Sequence, residues 1–193
     1  DRAVELAPDV GELRNQLAVT LLAAGDSDQA IGQLESAIEL DGELQFSDYL
    51  LVLAQLRSGK IDEAMLAANA LRQRAPDDPM GENLLGAVRF AQDDIEGARA
   101  AFVSSLAKDE SFQPAALNLV RLELSQGNRD AALSGLQALL AADPDNERAL
   151  LQLAELELEV IRDPQTTTTA SQRDDAIAKA KARLVQAARA HDE

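Results

Sequence analysis

The sequence predicts an all-α fold, an α-solenoid of tandem helical hairpins, and three observations carry that prediction. Residue types recur on a gapless 34-residue step: Leu17, Leu51, Leu85, Leu119 and Leu153 in one column, and Ala30, Ala64, Ala98 and Ala132 in another. Chance seldom aligns several residue types at once over four units. The apolar content, 46% of 193 residues, is mostly Ala and Leu, with only 3% aromatics and no Trp, and both residues are good helix formers. The 10 Gly and 6 Pro punctuate the apolar blocks rather than interrupt them.

The elements follow in order. Residues 1–8, "DRAVELAP", read as the end of a preceding second helix, with no hairpin mate and an apolar edge left open. Four units then run 11–44, 45–78, 79–112 and 113–146. In each, a residue suited to the left-handed region closes the first helix. Gly25, Gly59 and Gly127 do so without steric penalty, and Asp93 stands in the third unit, where it takes that conformation less readily. Asp28, Asp62, Glu96 and Asp130 fall in the first turn of the second helix, where negative charge complements the dipole. The alanines two residues later are small enough for close helix approach, and Ala98 and Phe102, spaced i to i+4, share a face. Pro8, Pro76 and Pro144 mark alternate unit boundaries, with Gly42 and Glu110 between them.

A fifth, irregular unit occupies 147–190. Its second helix, "RDDAIAKAKARLVQAARA", starts about ten residues late against the hairpin period. The insert before it, "VIRDPQTTTTASQ", has a Pro and four consecutive Thr, which favour a loop. The final helix, rich in Ala, Lys and Arg, suits a cap with one face to water. A lone hairpin cannot bury its apolar face, so the units stack as one continuous domain over 1–193.

These residues resemble the tetratricopeptide-repeat (TPR) pattern, W-x2-L-G-x2-Y followed by A-x3-F and P. The Leu-small pair stands as Leu17-Ala18, Leu85-Gly86 and Leu153-Ala154, with Val52 and Val120 as bulkier variants. Ala98 and Phe102 keep A-x3-F, which weakens to Leu34, Ala68 and Leu136 elsewhere. The Trp position holds Arg14, Asp48, Glu82, Ala116 and Leu150; the Tyr position holds Leu21, Gln55, Arg89, Glu123 and Glu157. The resemblance implies a right-handed superhelix whose first helices line a concave wall where protein partners bind. The stretch Asn83 to Asn128, above all "FQPAALNLVRLEL", also resembles the TPR lipoprotein of bacterial PEP-CTERM/exosortase systems. That likeness implies a bacterial cell-envelope protein tied to exopolysaccharide production and protein sorting. Its setting would be the periplasm or the outer membrane, through a lipid anchor upstream of this segment.

Charge and chemistry narrow the function. With 18 basic and 34 acidic residues the net charge is −16, which repels phosphate backbones and argues against a nucleic-acid partner. Without Cys and with His191 as the sole His, the usual zinc and nucleophile constellations have no ligands or bases. Glu155, Glu157 and Glu159 alternate along a helix and so point to different sides. The glycines of "GAVRFAQDDIEG" follow no strand, so a phosphate-loop reading fails. No run reaches the ~18 apolar residues of a membrane span. Neither an enzyme nor a cofactor is expected.

What remains is surface. On the second unit's first helix, Phe46, Tyr49, Leu53 and Leu56 form one stripe, and Leu51, Val52 and Gln55 form another that faces the second helix. Continued along the repeat, the first stripe gives a peptide-binding groove of Phe46, Tyr49, Leu53, Leu56, Met80, Asn83, Phe90, Leu117, Arg121 and Leu124. The aliphatic members read equally well as core between successive first helices. The aromatics and Met80 favour a binding role, and Arg57, Arg121 and Arg148 either hold a peptide's carboxylate or carbonyls or pair with neighbouring acids. Of the family's two-carboxylate clamp only Asn118 and Arg148 resemble parts, and Val19 and Leu50 break it. The expected partner is therefore a protein, as a peptide or a helix. Self-association through the exposed terminal helices, or service as the accessory arm of a longer enzyme, are the alternatives.

Overall fold

A computed structural model describes residues 2–7, 9–40, 45–162 and 169–192. Among them are eleven α-helices and no strand: α1 Arg2–Leu6, α2 Gly11–Ala23, α3 Ser27–Leu40, α4 Gln45–Arg57, α5 Ile61–Arg74, α6 Pro79–Ala91, α7 Ile95–Lys108, α8 Gln113–Ser125, α9 Arg129–Ala142, α10 Glu147–Arg162 and α11 Ala170–Asp192. First helices begin at 11, 45, 79, 113 and 147, so the sequence period and the helix period coincide. The chain divides into two compact units, Asp1–Ala115 and Ala116–Glu193. The boundary residues Pro8 and Gly42, and positions 163–168 of the insert, lie outside the described residues.

The turn between the two helices of a hairpin is built four times with the same two backbone bonds. Gly25 N–H donates to Leu22 O and Asp26 N–H to Leu21 O; the pairs Gly59/Lys60, Asp93/Asp94 and Gly127/Asn128 repeat this at 2.9–3.2 Å. The turn needs a left-handed residue, and φ is 87° at Gly25, 72° at Gly59, 73° at Gly127 and 62° at Asp93. The next residue then starts the second helix: Asp26 and Asp94 accept hydrogen bonds from Gln29 N–H and Gly97 N–H at 3.2 and 2.9 Å, capping α3 and α7.

In the first unit successive helices α2 to α7 pack each on the next, and the first helices α2, α4 and α6 also touch one another. Ala18, Ala30, Ile31, Leu34, Leu50, Leu51 and Ala54 form one core cluster; Val52, Ala64, Ala68, Leu71, Leu84 and Val88 form the next. Burying each such Leu contributes about 2 kcal/mol. In the third hairpin Gly86 and Phe102 meet. A Cβ on Gly86 would lie 2.5 Å from the Phe102 ring, which is fully buried. The second unit reverses the arrangement. Bulk sits on the first helix as Val120, and the glycine is Gly135 on the second, whose Cβ would come 2.8 Å from Val120. Its core joins Val120, Ala132, Leu136, Leu139, Ala149, Leu153 and Leu156.

The position that the family fills with Trp is filled here by polar pairs in the first unit. Arg14 donates to Gln33 Oε1 at 2.9 Å. Asp48, buried, is ion-paired with Arg74, and Glu82 accepts from Lys108 at 3.5 Å. A basic residue at the end of the second helix thus answers an acidic one near the start of the first, twice, with the same spacing. In the second unit the position returns to apolar, with Leu150 fully buried.

One element departs from its expected bounds. α10 continues to Arg162 and α11 begins at Ala170, not at Arg173. Thr169 and Gln172 cap α11 reciprocally: Gln172 N–H donates to Thr169 Oγ1 at 3.2 Å and Thr169 N–H to Gln172 Oε1 at 2.8 Å. The T-x-x-Q signature of a capping box was present at the end of the insert and outweighs the loop signal of the preceding threonines.

Candidate functional site

The stripe on the first helices of the first unit has four columns. The outermost, Glu12, Phe46 and Met80, is the most open: Phe46 is 55% exposed, Glu12 exposed and Met80 half-buried. The second, Asn15, Tyr49 and Asn83, is set deeper. Asn15 and Asn83 are buried, and Ser47 Oγ–H donates to Asn15 Oδ1 at 2.8 Å, locking α2 to α4. Tyr49 is half-buried and touches both core clusters of the unit. Val19, Leu53 and Ala87 form the third column, with Val19 exposed and the other two half-buried. Of the fourth, Leu22 is buried while Leu56 and Phe90 are half-buried. The rings of Phe46 and Tyr49 lie 6.1 Å apart and 32° from parallel, so α4 carries an aromatic pair with one face in water and its base in the core.

The remaining predicted groove residues sit in the second unit. Leu117 and Leu124 are half-buried against its core, and Arg121 is exposed. Arg148 is exposed on α10, and Asn118 is half-buried. The stripe Leu51, Val52 and Gln55 is buried, the side turned away from solvent. Polar residues at the family's Tyr position hold the turns. Arg89 donates to Gly97 O at 3.1 Å, and buried Glu123 accepts from Asn128 Nδ2 at 2.9 Å.

Electrostatics link successive hairpins. Lys60 Nζ lies 2.9 Å from Asp28 Oδ1, and Ser58 Oγ–H donates to the same oxygen at 3.1 Å. The hydrogen bond from Lys60, aided by Ser58, holds the Asp28 carboxyl below the ordinary aspartate value. Asp28 in turn raises Lys60, chiefly through its hydrogen bond and against the opposing effect of burial.

What the surface offers chemically is half-buried and exposed apolar area with a few polar groups. No three His, Cys, Asp or Glu side chains among the described residues come together to hold a metal, and no described helix is long and apolar enough to cross a membrane. Sequence reasoning missed two features of the second unit. A cleft of about 530 Å³ lies between α9, α10 and α11, bordered by Arg129, Glu157, Lys179 and Arg183. A second, of about 650 Å³, opens on α11 beside Lys181, Val185 and Arg189. The signal available for both was the late start of α11, which breaks the helix-to-helix spacing of the earlier hairpins.

Models of the tetratricopeptide repeat match residues 15–79, 49–114 and 89–156. Among solved structures, the chain is similar to TTC0263, a thermophilic TPR protein of Thermus thermophilus, at 21% identity over 91% of this chain and 100% of that one, with a TM-score of 0.68. It is similar to yeast Tom70 at 19% identity over 96% of this chain but only 42% of that one, with a TM-score of 0.68. YrrB, described as a TPR protein with an unusual peptide-binding site, matches at 17% identity over 100% of this chain and 97% of that one, with a TM-score of 0.52. Identities this low show a shared fold alone. Among curated proteins none matches the sequence, and none of the matches bears on the narrower likeness of Asn83 to Asn128 to PEP-CTERM lipoproteins.

Proposed function

The chain belongs to the tetratricopeptide-repeat family, whose members mediate protein–protein interactions, and from that premise we propose that it is a non-catalytic scaffold that binds a peptide or helix on the first helices of its first unit. The observation that supports this reading best is the aromatic pair on α4, with Phe46 55% exposed and Tyr49 half-buried next to Leu53 and Met80. A half-covered aromatic offers a partner large contact area, and its base, fixed in the core, has already lost its conformational freedom before binding. Buried Asn15 and Ser47 hold the two helices beneath it at a fixed spacing.

The test is selection of binders from a displayed peptide library, followed by calorimetric titration of the selected peptide into wild-type protein and into Phe46→Ala and Tyr49→Ala. Phe46→Ala removes an exposed side chain and leaves the fold intact. A loss of about 2 kcal/mol, or some thirtyfold in affinity, is expected for an aromatic anchor. Leu66→Ala on α5, 72% exposed and off this surface, serves as control. Equal affinity in Phe46→Ala, Tyr49→Ala and wild type would remove the surface from consideration. The bacterial envelope setting rests on the Asn83 to Asn128 likeness, and fractionation that found the protein outside the envelope of its source cell would discard that part alone.

A further inference from the structure

We propose that the last hairpin, α10 with α11, is a self-association surface whose occupant is a second copy of this chain. His191 Nδ1 lies 3.4 Å from Glu147 Oε2, which sets the register of the antiparallel pair: the start of α10 lies beside the end of α11. One turn further along α10 comes Leu151 and then Glu155, on the same stripe as Glu147. Leu184 lies seven residues before His191, on the stripe that flanks this edge of α11. Next to it runs Lys181, Val185 and Arg189, again spaced i, i+4 and i+8.

The apolar members are uncovered: Leu151 is 42%, Leu184 43% and Val185 52% exposed. The stretches beside them differ in charge, with Asp145 as the one acid that borders the same cleft as Lys181, Val185 and Arg189. From Ala176 to His191 there are four cations and no acid, although the chain as a whole carries −16. Along α10, Glu147, Glu155, Glu157 and Glu159 face a single cation, Arg148, up to residue 159. Glu159 is already paired with Arg129 at 3.2 Å, whereas Glu155, Lys181 and Arg189 make no ion pair among the described residues. An acid–leucine–acid stripe on one helix and a cation–valine–cation stripe on the next form a self-complementary face. A two-fold axis lays α10 of one copy on α11 of the other, and the same contact forms a second time, closing the assembly as a dimer. A purely acidic or purely basic partner would satisfy only half of this face.

The experiment is sedimentation velocity of the full chain over a concentration series. Wild type is expected to move from the mass of one chain towards that of two. Lys181→Glu/Arg189→Glu sets acid against acid, and Glu147→Lys/Glu155→Lys sets base against base. Each variant alone should dissociate on the order of a hundredfold more readily. Mixed in equal amounts, the two variants restore both opposite-charge contacts and should recover the dimer. Leu184→Ser/Val185→Ser, at exposed positions that leave the helix intact, should weaken the dimer without altering helix content. Wild type sedimenting as one chain at every concentration would overturn the proposal. So would association that persists unchanged in both charge-reversed variants, or a mixture no more associated than its components.

Discussion

Gly86 and Phe102 place the sharpest demand on the core, and the sign of a single substitution reports it. In Gly86→Ala the new methyl would sit 2.5 Å from the Phe102 ring, whose own exposure is zero. The ring cannot swing aside, so overpacking costs about 1–3 kcal/mol. Ala is favoured over Gly inside a helix by about 1 kcal/mol, leaving a net loss of up to about 2 kcal/mol. Phe102→Ala removes the ring and leaves a cavity, for a loss of about 3–5 kcal/mol. In that background the clash is gone and the methyl of Gly86→Ala fills part of the void, so the same substitution should now stabilise by about 1 kcal/mol. Urea unfolding followed by far-UV circular dichroism of wild type, both single variants and the double variant measures all four corners. The signature is a coupling energy of about 1–3 kcal/mol and a change of sign. Additive losses, or a Gly86→Ala variant more stable than wild type, would refute the packing described for the third hairpin.

Other outcomes follow from the turns and the charge contacts. Gly25, Gly59 and Gly127 have open space where a Cβ would go, so Gly→Ala at each should lose about 1–2 kcal/mol through backbone conformation alone, read as a lower urea midpoint. Asp93→Gly, at φ 62°, should be neutral or gain up to about 1 kcal/mol by relieving the same conformation; a loss as large as those of the glycine variants would show that the Asp93 side chain contributes to the turn. The Asp28–Lys60 contact should be lost as pH falls through the depressed Asp28 value and again as pH rises through the raised Lys60 value, and hold between them. Carboxyl-carbon titration by NMR should show the low Asp28 midpoint moving back up in Lys60→Met; an unmoved midpoint would mean that the pair does not form in solution. Capture of a peptide by Phe46 and Tyr49, and dimer formation through α10 and α11, are tested by the calorimetry and sedimentation set out above.

Much of the fold was written locally and could be read there. Helix starts follow the 34-residue step because each turn is closed by its own glycine or Asp93 and its own backbone bonds, with no help from distant residues. The columns Ala30, Ala64, Ala98 and Ala132, and Leu34, Ala68, Phe102 and Leu136, proved to be fully buried, since period alone fixes which side of a helix faces its mate. Sequence pattern alone places the start of α11 three residues late, because the run of threonines hides the capping role of Thr169.

The candidate surface was legible only as a stripe. Sequence spacing put Phe46, Tyr49, Asn83 and Phe90 on one side of their helices. It could not say that Asn83 lies buried while Phe46 stands more than half exposed, because depth within a stripe depends on how closely neighbouring helices approach. Nor could it show Arg74 answering Asp48, or the cleft that opens between α9, α10 and α11. Periodicity determined the hairpins, since backbone turns and helix faces are set by residues within one unit of each other. Tertiary structure alone decided which side chains remain open to a partner, since exposure is what is left after all contacts made by chain segments far apart in sequence.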